Sequence, residues 1–345
     1  MKKIRLAFLP FSWFYALIVW IRNKLYDLGI FKSRKVGVKT VVVGNIALGG
    51  TGKTPHIEYI LDLLKGENLA VLSRGYGRET KGTALVSGQS QTGDVGDEPL
   101  QIALKFPEIP VVVDEDRLRG IAFIRQRYPE VKAIILDDAL QHRKLKGGLN
   151  ILLTTFENPF FRDFYLPAGN LRDHKIRARD ADAILVTKCP GSISTSKMKH
   201  FNRRLTPYCK TIFYNRIKYL PVKQLSGKPN TPIESFRQVA LITGIAIPNI
   251  FLARARESFS IMKHFKFRDH HPFTRGDMER FKSFSKDGGD QKIALLTTEK
   301  DAMRLRSVMN KSEMENIAIY FWEIGLDWID GKSKFDQLIL NYIHE

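Results

Sequence analysis

An α/β protein with a mostly parallel, helix-covered sheet is what the sequence predicts, and three observations carry that prediction. Short runs rich in Val, Ile and Leu alternate with helical patterns along most of the chain. One run, "TVVVGN", leads into a glycine-rich loop, then Gly52-Lys53-Thr54, then an amphipathic helical stretch. After a weaker, proline-containing region around Tyr214 to Pro232 the alternation of strand and helix resumes, which predicts a second, smaller α/β unit.

At 345 residues, 43% hydrophobic and 26% charged, the chain belongs with globular proteins long enough for two domains. Its 55 Lys+Arg against 36 Asp+Glu give a formal charge of +19. Such an excess favours a polyanionic partner such as nucleic acid, an anionic membrane or a phosphorylated substrate, or else serves as a solubilising coat. No aromatic-basic nucleic-acid module accompanies it, so nucleic acid is not expected as a partner. The two cysteines, Cys189 and Cys209, form neither a disulfide framework nor a paired metal spacing.

The elements follow in order. Between Arg5 and Arg22 lies "LAFLPFSWFYALIVWI", uncharged and rich in aromatic residues. It falls short of the ~20 apolar residues of a membrane span, and the basic residues after it do not resemble a signal cleavage site. Flanking Lys2, Lys3, Arg5, Arg22 and Lys24 fit a helix lying in the membrane interface; a helix packed on the protein body is the competing reading. The strands of the first unit are "TVVVGN", "ENLAVLSRGYGR", "IPVVVDEDR", "VKAIILDDALQH", "NILLTT" and "ADAILVTKCP", short and apolar as strands buried on both faces should be. The second unit reads "QVALITGIAIPNIF", "IMKHFKFRDHHPF" and "KIALLTTEKDAMRL", the last with Thr298 and Asp301 at capping-box spacing.

Gly49-Gly50-Thr51-Gly52-Lys53-Thr54 has the layout of a P-loop. Successive backbone N–H groups wrap a phosphate, helped by the helix N-terminus. Lys53 is placed for the β- and γ-phosphates and Thr54 for Mg²⁺. The general pattern has glycine at position 47, where this chain has Ala47. A P-loop core also needs an acid at the end of a neighbouring strand. "AIILDD" supplies Asp137 and Asp138, and Gln141 and His142 follow on the same loop, near enough to join the phosphate shell, although a solvated loop histidine fits His142 nearly as well. Switch readings lack diagnostic residues. Gln141 stands where a GTPase carries glycine, Pro190 where the guanine-reading aspartate belongs, and Leu48 where partitioning ATPases carry lysine. A transferase needs a general base. "GDVGDEPLQIA" offers Asp94, Asp97 and Glu98 at a helix start, and "FRDHHPF" offers Asp269, His270 and His271.

Together "VGNIALGGTGKTP", "LSRGYGR", "GDVGDEP", "LDDALQH", "LPAGNLRD", "TGIAIPNIF", "DHHPF" and "TEKDAMRL" resemble, in order, the motifs of the tetraacyldisaccharide 4'-kinase family. The resemblance implies an ATP- and Mg²⁺-dependent enzyme, peripheral or monotopic on the cytoplasmic face of the bacterial inner membrane. It would phosphorylate the 4'-hydroxyl of an acylated glucosamine disaccharide 1-phosphate lipid, giving lipid IVA, with no obligate protein partner. The implied organisation is an N-terminal membrane-associated helix over 1–29, a P-loop NTPase core over 30–215, a two-stranded linker over 216–234 and a smaller C-terminal α/β domain over 235–345. Motif by motif, Asp97 becomes the base and His270 its partner, Asp137 and Asp138 the metal pair with Thr54, and Gly49 to Thr54 the nucleotide loop. Arg74 and Arg172 become anion contacts, with Glu98, Gln141 and His142 as further candidates for substrate or phosphate. Family members commonly carry a small residue other than glycine at position 47.

Overall fold

The computed structural model describes residues 5, 7–226, 231–236, 238–286 and 293–345; Lys2 and Lys3, and residues 227–230 of the expected linker, lie outside them. The first half runs α1 (Leu9–Asp27), β1 (Lys39–Gly44), α2 (Lys53–Leu63), β2 (Leu69–Ser73), β3 (Ala84–Val86), α3 (Thr92–Val95), α4 (Asp97–Lys105), β4 (Val111–Val113), α5 (Arg117–Arg127), β5 (Ala133–Asp137), β6 (Leu149–Thr155), β7 (Ala183–Thr187), α6 (Thr195–Leu205) and β8 (Ile212–Ser226). The second runs β9 (Gln238–Thr243), α7 (Asn249–Ser258), β10 (Ser260–Lys266), α8 (Arg275–Lys286), β11 (Ala294–Thr298), α9 (Glu299–Val308), α10 (Lys311–Asn316), β12 (Ile319–Asp330) and α11 (Lys332–His344).

The strands of the described residues join in one sheet, ordered β10-β9-β11-β12-β8-β7-β6-β1-β5-β2-β4-β3. All pairings are parallel except β8 with β12 and β3 with β4. The expected mostly parallel sheet is therefore present. Its centre is dry: Val41, Val43, Leu72, Ile134, Leu136 and Ile151 are all fully buried, as crossover helices covering both faces require. Because β1, β2, β5, β6 and β7 run the same way, the loops at their C-terminal ends share one edge, where parallel sheets place ligands.

Two strands, β3 and β12, escaped the sequence reading, and β8 runs as one long strand where a linker of short strands was expected. β3 is a three-residue edge strand. β8 and β12 form a long antiparallel ribbon whose side chains are largely half-exposed, so the apolar run that marks a buried strand is missing. Pro221 is accommodated in β8 where the register shifts opposite Glu323, a bulge that removes the need for its N–H.

The sheet's partners close the molecule in two places. α11 returns to the first strand, with the Tyr342 hydroxyl 3.3 Å from the Thr40 nitrogen and Phe335 fully buried. α1 packs by its polar stripe: Asn23 donates to Asp173 at 2.8 Å, Ser12 to the Tyr165 carbonyl at 2.9 Å, and Tyr15 to the Arg172 carbonyl at 3.1 Å. Its apolar side faces outward, with Trp13 75% and Phe14 66% exposed beside Phe11, Leu17 and Ile18. The helix therefore packs on the protein body by one face and leaves an apolar face exposed. No helix of the described residues is long and apolar enough to cross a membrane.

Candidate active site

The glycine loop begins where β1 ends. Gly52 has φ +91°, the left-handed conformation that turns the chain into α2, and a side chain there would be strained. Ala47 is not among the positive-φ residues; it bridges to Leu171, so its methyl group is tolerated. Asn45 donates to the Thr51 hydroxyl at 3.0 Å, and the Thr187 hydroxyl donates to the Thr51 carbonyl at 2.7 Å. Thr54 and Thr51 are buried. Behind them His56 Nδ1 donates to the Gly52 carbonyl at 2.6 Å and its Nε2 accepts from Asn215 at 2.8 Å; burial pushes this imidazole down to about 4, so it is neutral.

The neighbouring strand supplies the acids. Asp137 closes β5 and is buried; one oxygen accepts from the Ser73 hydroxyl at 2.8 Å, while the other has no hydrogen-bond partner among the described residues. Burial, then the charges of Glu98 and Asp138, raise its carboxyl to about 6. Asp138 has φ +52° and faces cations, with Lys53 at 3.8 Å and Arg172 in direct contact. Burial opposes its ionisation, but Lys53 and Arg172 prevail and hold its pKa down.

These oxygen donors fit a small hard cation. A buried, unpartnered carboxylate oxygen is what such an ion completes. Among the described residues no group of three or more His, Cys, Asp and Glu converges as a cage. Magnesium at a nucleotide takes only one or two protein ligands and draws the rest from phosphate and water.

Across the cleft, α4 begins at Asp97. The preceding Gly96 has φ +92°, and a Cβ there would lie 3.1 Å from the Tyr76 carbonyl oxygen, so glycine is needed for the two loops to touch. Asp97 Oδ2 lies 3.1 Å from His270 Nδ1 and 3.6 Å from Arg304 Nε. Burial works against its charge, yet the His270 hydrogen bond and the cations Lys300, His270 and Arg304 hold it at about 2. The same hydrogen bond raises the His270 pKa. Glu98 pairs with Lys300. His271, by contrast, stacks on Phe267 and bonds Asp277 at 3.0 Å, a packing role.

The remaining candidates divide. Arg172 donates to the Asn45 carbonyl at 3.0 Å and so braces the loop as well as Asp138. Arg74 is exposed just beyond β2. The Gln141 amide donates to the Asn45 carbonyl at 2.6 Å. His142 lies 3.9 Å from Asp116, and burial followed by the charge of Arg117 lowers it to about 4. Lys300, Arg304, Ser73 and Asn45 were missed in the sequence. Lys300 and Arg304 sit one turn apart in "TEKDAMRL", a spacing that puts both on one helix face.

The sequence profile of a family described as Tetraacyldisaccharide-1-P 4'-kinase matches residues 4–344. Tetraacyldisaccharide 4'-kinase of Bacteroides thetaiotaomicron is 36% identical over 99% of this chain and 94% of its own. That of Flavobacterium johnsoniae is 37% identical over 100% and 99%. Among solved structures, apo-form LpxK from Aquifex aeolicus, crystallised in complex with ATP, superposes with a TM-score of 0.77 at 30% identity, covering 99% of this chain and 100% of that one. A P-loop with two acids at the end of the neighbouring strand and a buried aspartate bonded to His270, in a chain matched over residues 4–344, places it: the chain belongs to the tetraacyldisaccharide-1-P 4'-kinase family.

Proposed function

We propose that this enzyme transfers the γ-phosphoryl group of ATP to the 4'-hydroxyl of a tetraacylated glucosamine disaccharide 1-phosphate, yielding lipid IVA. The observation that carries the reading is the buried Asp97 carboxylate, 3.1 Å from His270 and next to Glu98, whose charge reaches Asp137 on the strand beside β1 and its glycine loop. In the division of labour we propose, residues 30–215 hold the donor, 216–234 join the halves, and 235–345 bring His270 to Asp97.

The loop amides and Lys53 bind the phosphate chain, and Lys53 draws negative charge from the terminal phosphoryl as it transfers. Arg172 keeps Asp138 ionised and beside Lys53. Thr54, Asp137 and Asp138 would hold Mg²⁺. When bound, that ion neutralises phosphate charge and lowers the barrier electrostatically. Asp97 accepts the proton of the attacking hydroxyl as the acceptor oxygen bonds to phosphorus and the bridging oxygen of ADP departs. Its low pKa reflects the facing cations; phosphate charge arriving among them offsets them and brings the carboxylate nearer to the basicity that proton transfer needs. His270, donating through Nδ1, fixes the carboxylate rotamer and shares the proton.

The outward apolar face of α1 supports docking on the cytoplasmic surface of the inner membrane, where a lipid acceptor resides. Each large side chain buried in the interface would contribute ~1.5–3 kcal/mol. The deciding assay supplies labelled ATP, Mg²⁺ and the acylated disaccharide monophosphate in detergent. Labelled lipid is expected; label found only in inorganic phosphate would overturn the reading.

A further inference from the structure

We propose that Lys188, the residue that follows β7, binds the terminal phosphates of the nucleotide as a second cation beside Lys53. The inference rests on the reading of the glycine loop as an ATP site.

Three observations carry it. The first is position: Lys188 Nζ lies 3.7 Å from where a Cβ on Gly50 would stand, so the ammonium faces the backbone of the phosphate loop. The strand end is fixed there by two bonds, Thr187 to the Thr51 carbonyl at 2.7 Å and the Cys189 amide to the Asn215 carbonyl at 3.1 Å. Asn215 in turn holds His56, which holds Gly52. Lys188 and the loop therefore move as one piece.

The second is the absence of a counter-charge. Lys53 has Asp138 within 3.8 Å and Lys300 has Glu98. The Lys188 ammonium has no ion pair or hydrogen bond among the described residues. Burial, and then the like charge of Lys300, push its pKa down. A partly buried cation facing another cation is unfavourable, and an incoming polyanion relieves both.

The third is backbone strain. Among the described residues three non-glycine positions have positive φ: Asp138 at +52°, Lys188 at +53° and His270 at +53°. A lysine gains nothing locally from that conformation. Such residues persist where function needs a side chain aimed in one direction. The other two flank the same cleft, one as a candidate metal ligand and one as the partner of the base. In the sequence, Thr187-Lys188 resembles the start of a guanine-reading motif but lacks its aspartate, with Pro190 in that place. The position against Gly50 gives the lysine a different object, phosphate rather than base.

The test is equilibrium binding of ATP, ADP and AMP by calorimetry to the wild type, Lys188→Asn, Lys188→Met and Lys188→Arg. Asparagine tolerates positive φ and methionine keeps the length of the side chain, so the two uncharged variants fail for different reasons if they fail to fold. ATP affinity should fall ~10-fold or more in both, the scale of one charge-assisted hydrogen bond, with AMP changed less than twofold and Lys188→Arg recovering most of the loss. The melting temperature of the nucleotide-free Lys188→Asn protein should equal or exceed that of the wild type. ATP binding within twofold of wild type in either folded uncharged variant overturns the proposal, as does an equal loss for AMP and ATP. A wild-type protein that binds no ATP would instead refute the nucleotide reading itself.

Discussion

His270 Nδ1 lies 3.1 Å from Asp97 Oδ2, joining side chains 173 positions apart and belonging to opposite halves of the sheet. Two groups so placed act as a unit. Asp97→Ala should lower turnover by ~10²–10⁴ while ATP affinity, measured by calorimetry, stays within threefold. Adding His270→Ala to it should cost little more, since the pair's function is already gone. Fully additive losses would show that the two act independently.

The two histidines of "DHHPF" should separate cleanly. His271 stacks on Phe267 with ring centroids 4.4 Å apart and bonds Asp277. His271→Ala is expected to lower the melting temperature by ~2–4 °C and to leave kcat near wild type. His270→Ala should do the reverse. A His271 variant that melts normally yet turns over slowly contradicts this assignment.

Arg304 organises the second half of the site. It bonds Asp301 at 2.7 Å and the carbonyl of Gly244 at 3.1 Å, and it approaches Asp97. Arg304→Met takes the cation from the buried Asp301, which keeps only its bonds from the Gly244 amide and the Thr298 hydroxyl, and should destabilise the protein by ~3–5 kcal/mol, read from urea unfolding. Arg304→Met with Asp301→Asn together should recover part of that loss.

A buried cluster gives a pH dependence with a definite sign. Glu299 sits with Glu58 on α2, Glu323 on β12, Lys105 on α4 and Lys223 on β8; Lys105 lies 2.7 Å from Glu58 and 3.8 Å from Glu299. Burial, then the charge of Glu58, raises Glu299 to about 8. Its carboxyl ordinarily titrates near 4.5, so the folded state holds the proton more tightly and this group's stabilisation fades as pH climbs from about 4.5 to 8. Glu299→Gln should therefore melt ~1–3 °C above wild type at pH 8.5 and close to it at pH 5. A constant offset across that range would remove Glu299 as the titrating group.

The outer face of α1 should govern lipid contact alone. Trp13→Ser with Phe14→Ser is expected to reduce co-sedimentation with anionic phospholipid vesicles at least tenfold, given ~1.5–3 kcal/mol per large side chain. ATP binding in solution should be unaffected. Undiminished vesicle binding would assign the face another purpose.

Much of this was legible in the residues. Runs such as Val41–Val43 and Ile134–Leu136 announce two-sided burial, and Gly52-Lys53-Thr54 after such a run announces the glycine turn into a helix. Asp137 and Asp138 follow from strand-end position. The pairing of Asp97 with His270 came only through resemblance, because nothing local encodes a contact across 173 positions. Lys300 and Arg304 stayed hidden because a helix start rich in charge looks the same whether its charges face water or a buried aspartate. Strands were expected where β8 lies, but its pairing with β12 was obscured because half-exposed strands alternate weakly.

The path of the chain through that ribbon has a mechanical consequence. The polypeptide leaves the nucleotide half through β8 and returns through β12, whose continuation α11 is fastened to β1 by Tyr342 and Lys39. The segment carrying His270 is thus leashed at both ends by strands bonded to each other. The ribbon limits how far that segment can depart from the nucleotide half and so keeps His270 near Asp97. Such a leash raises the local concentration of His270 around Asp97 without any further contact between the two halves.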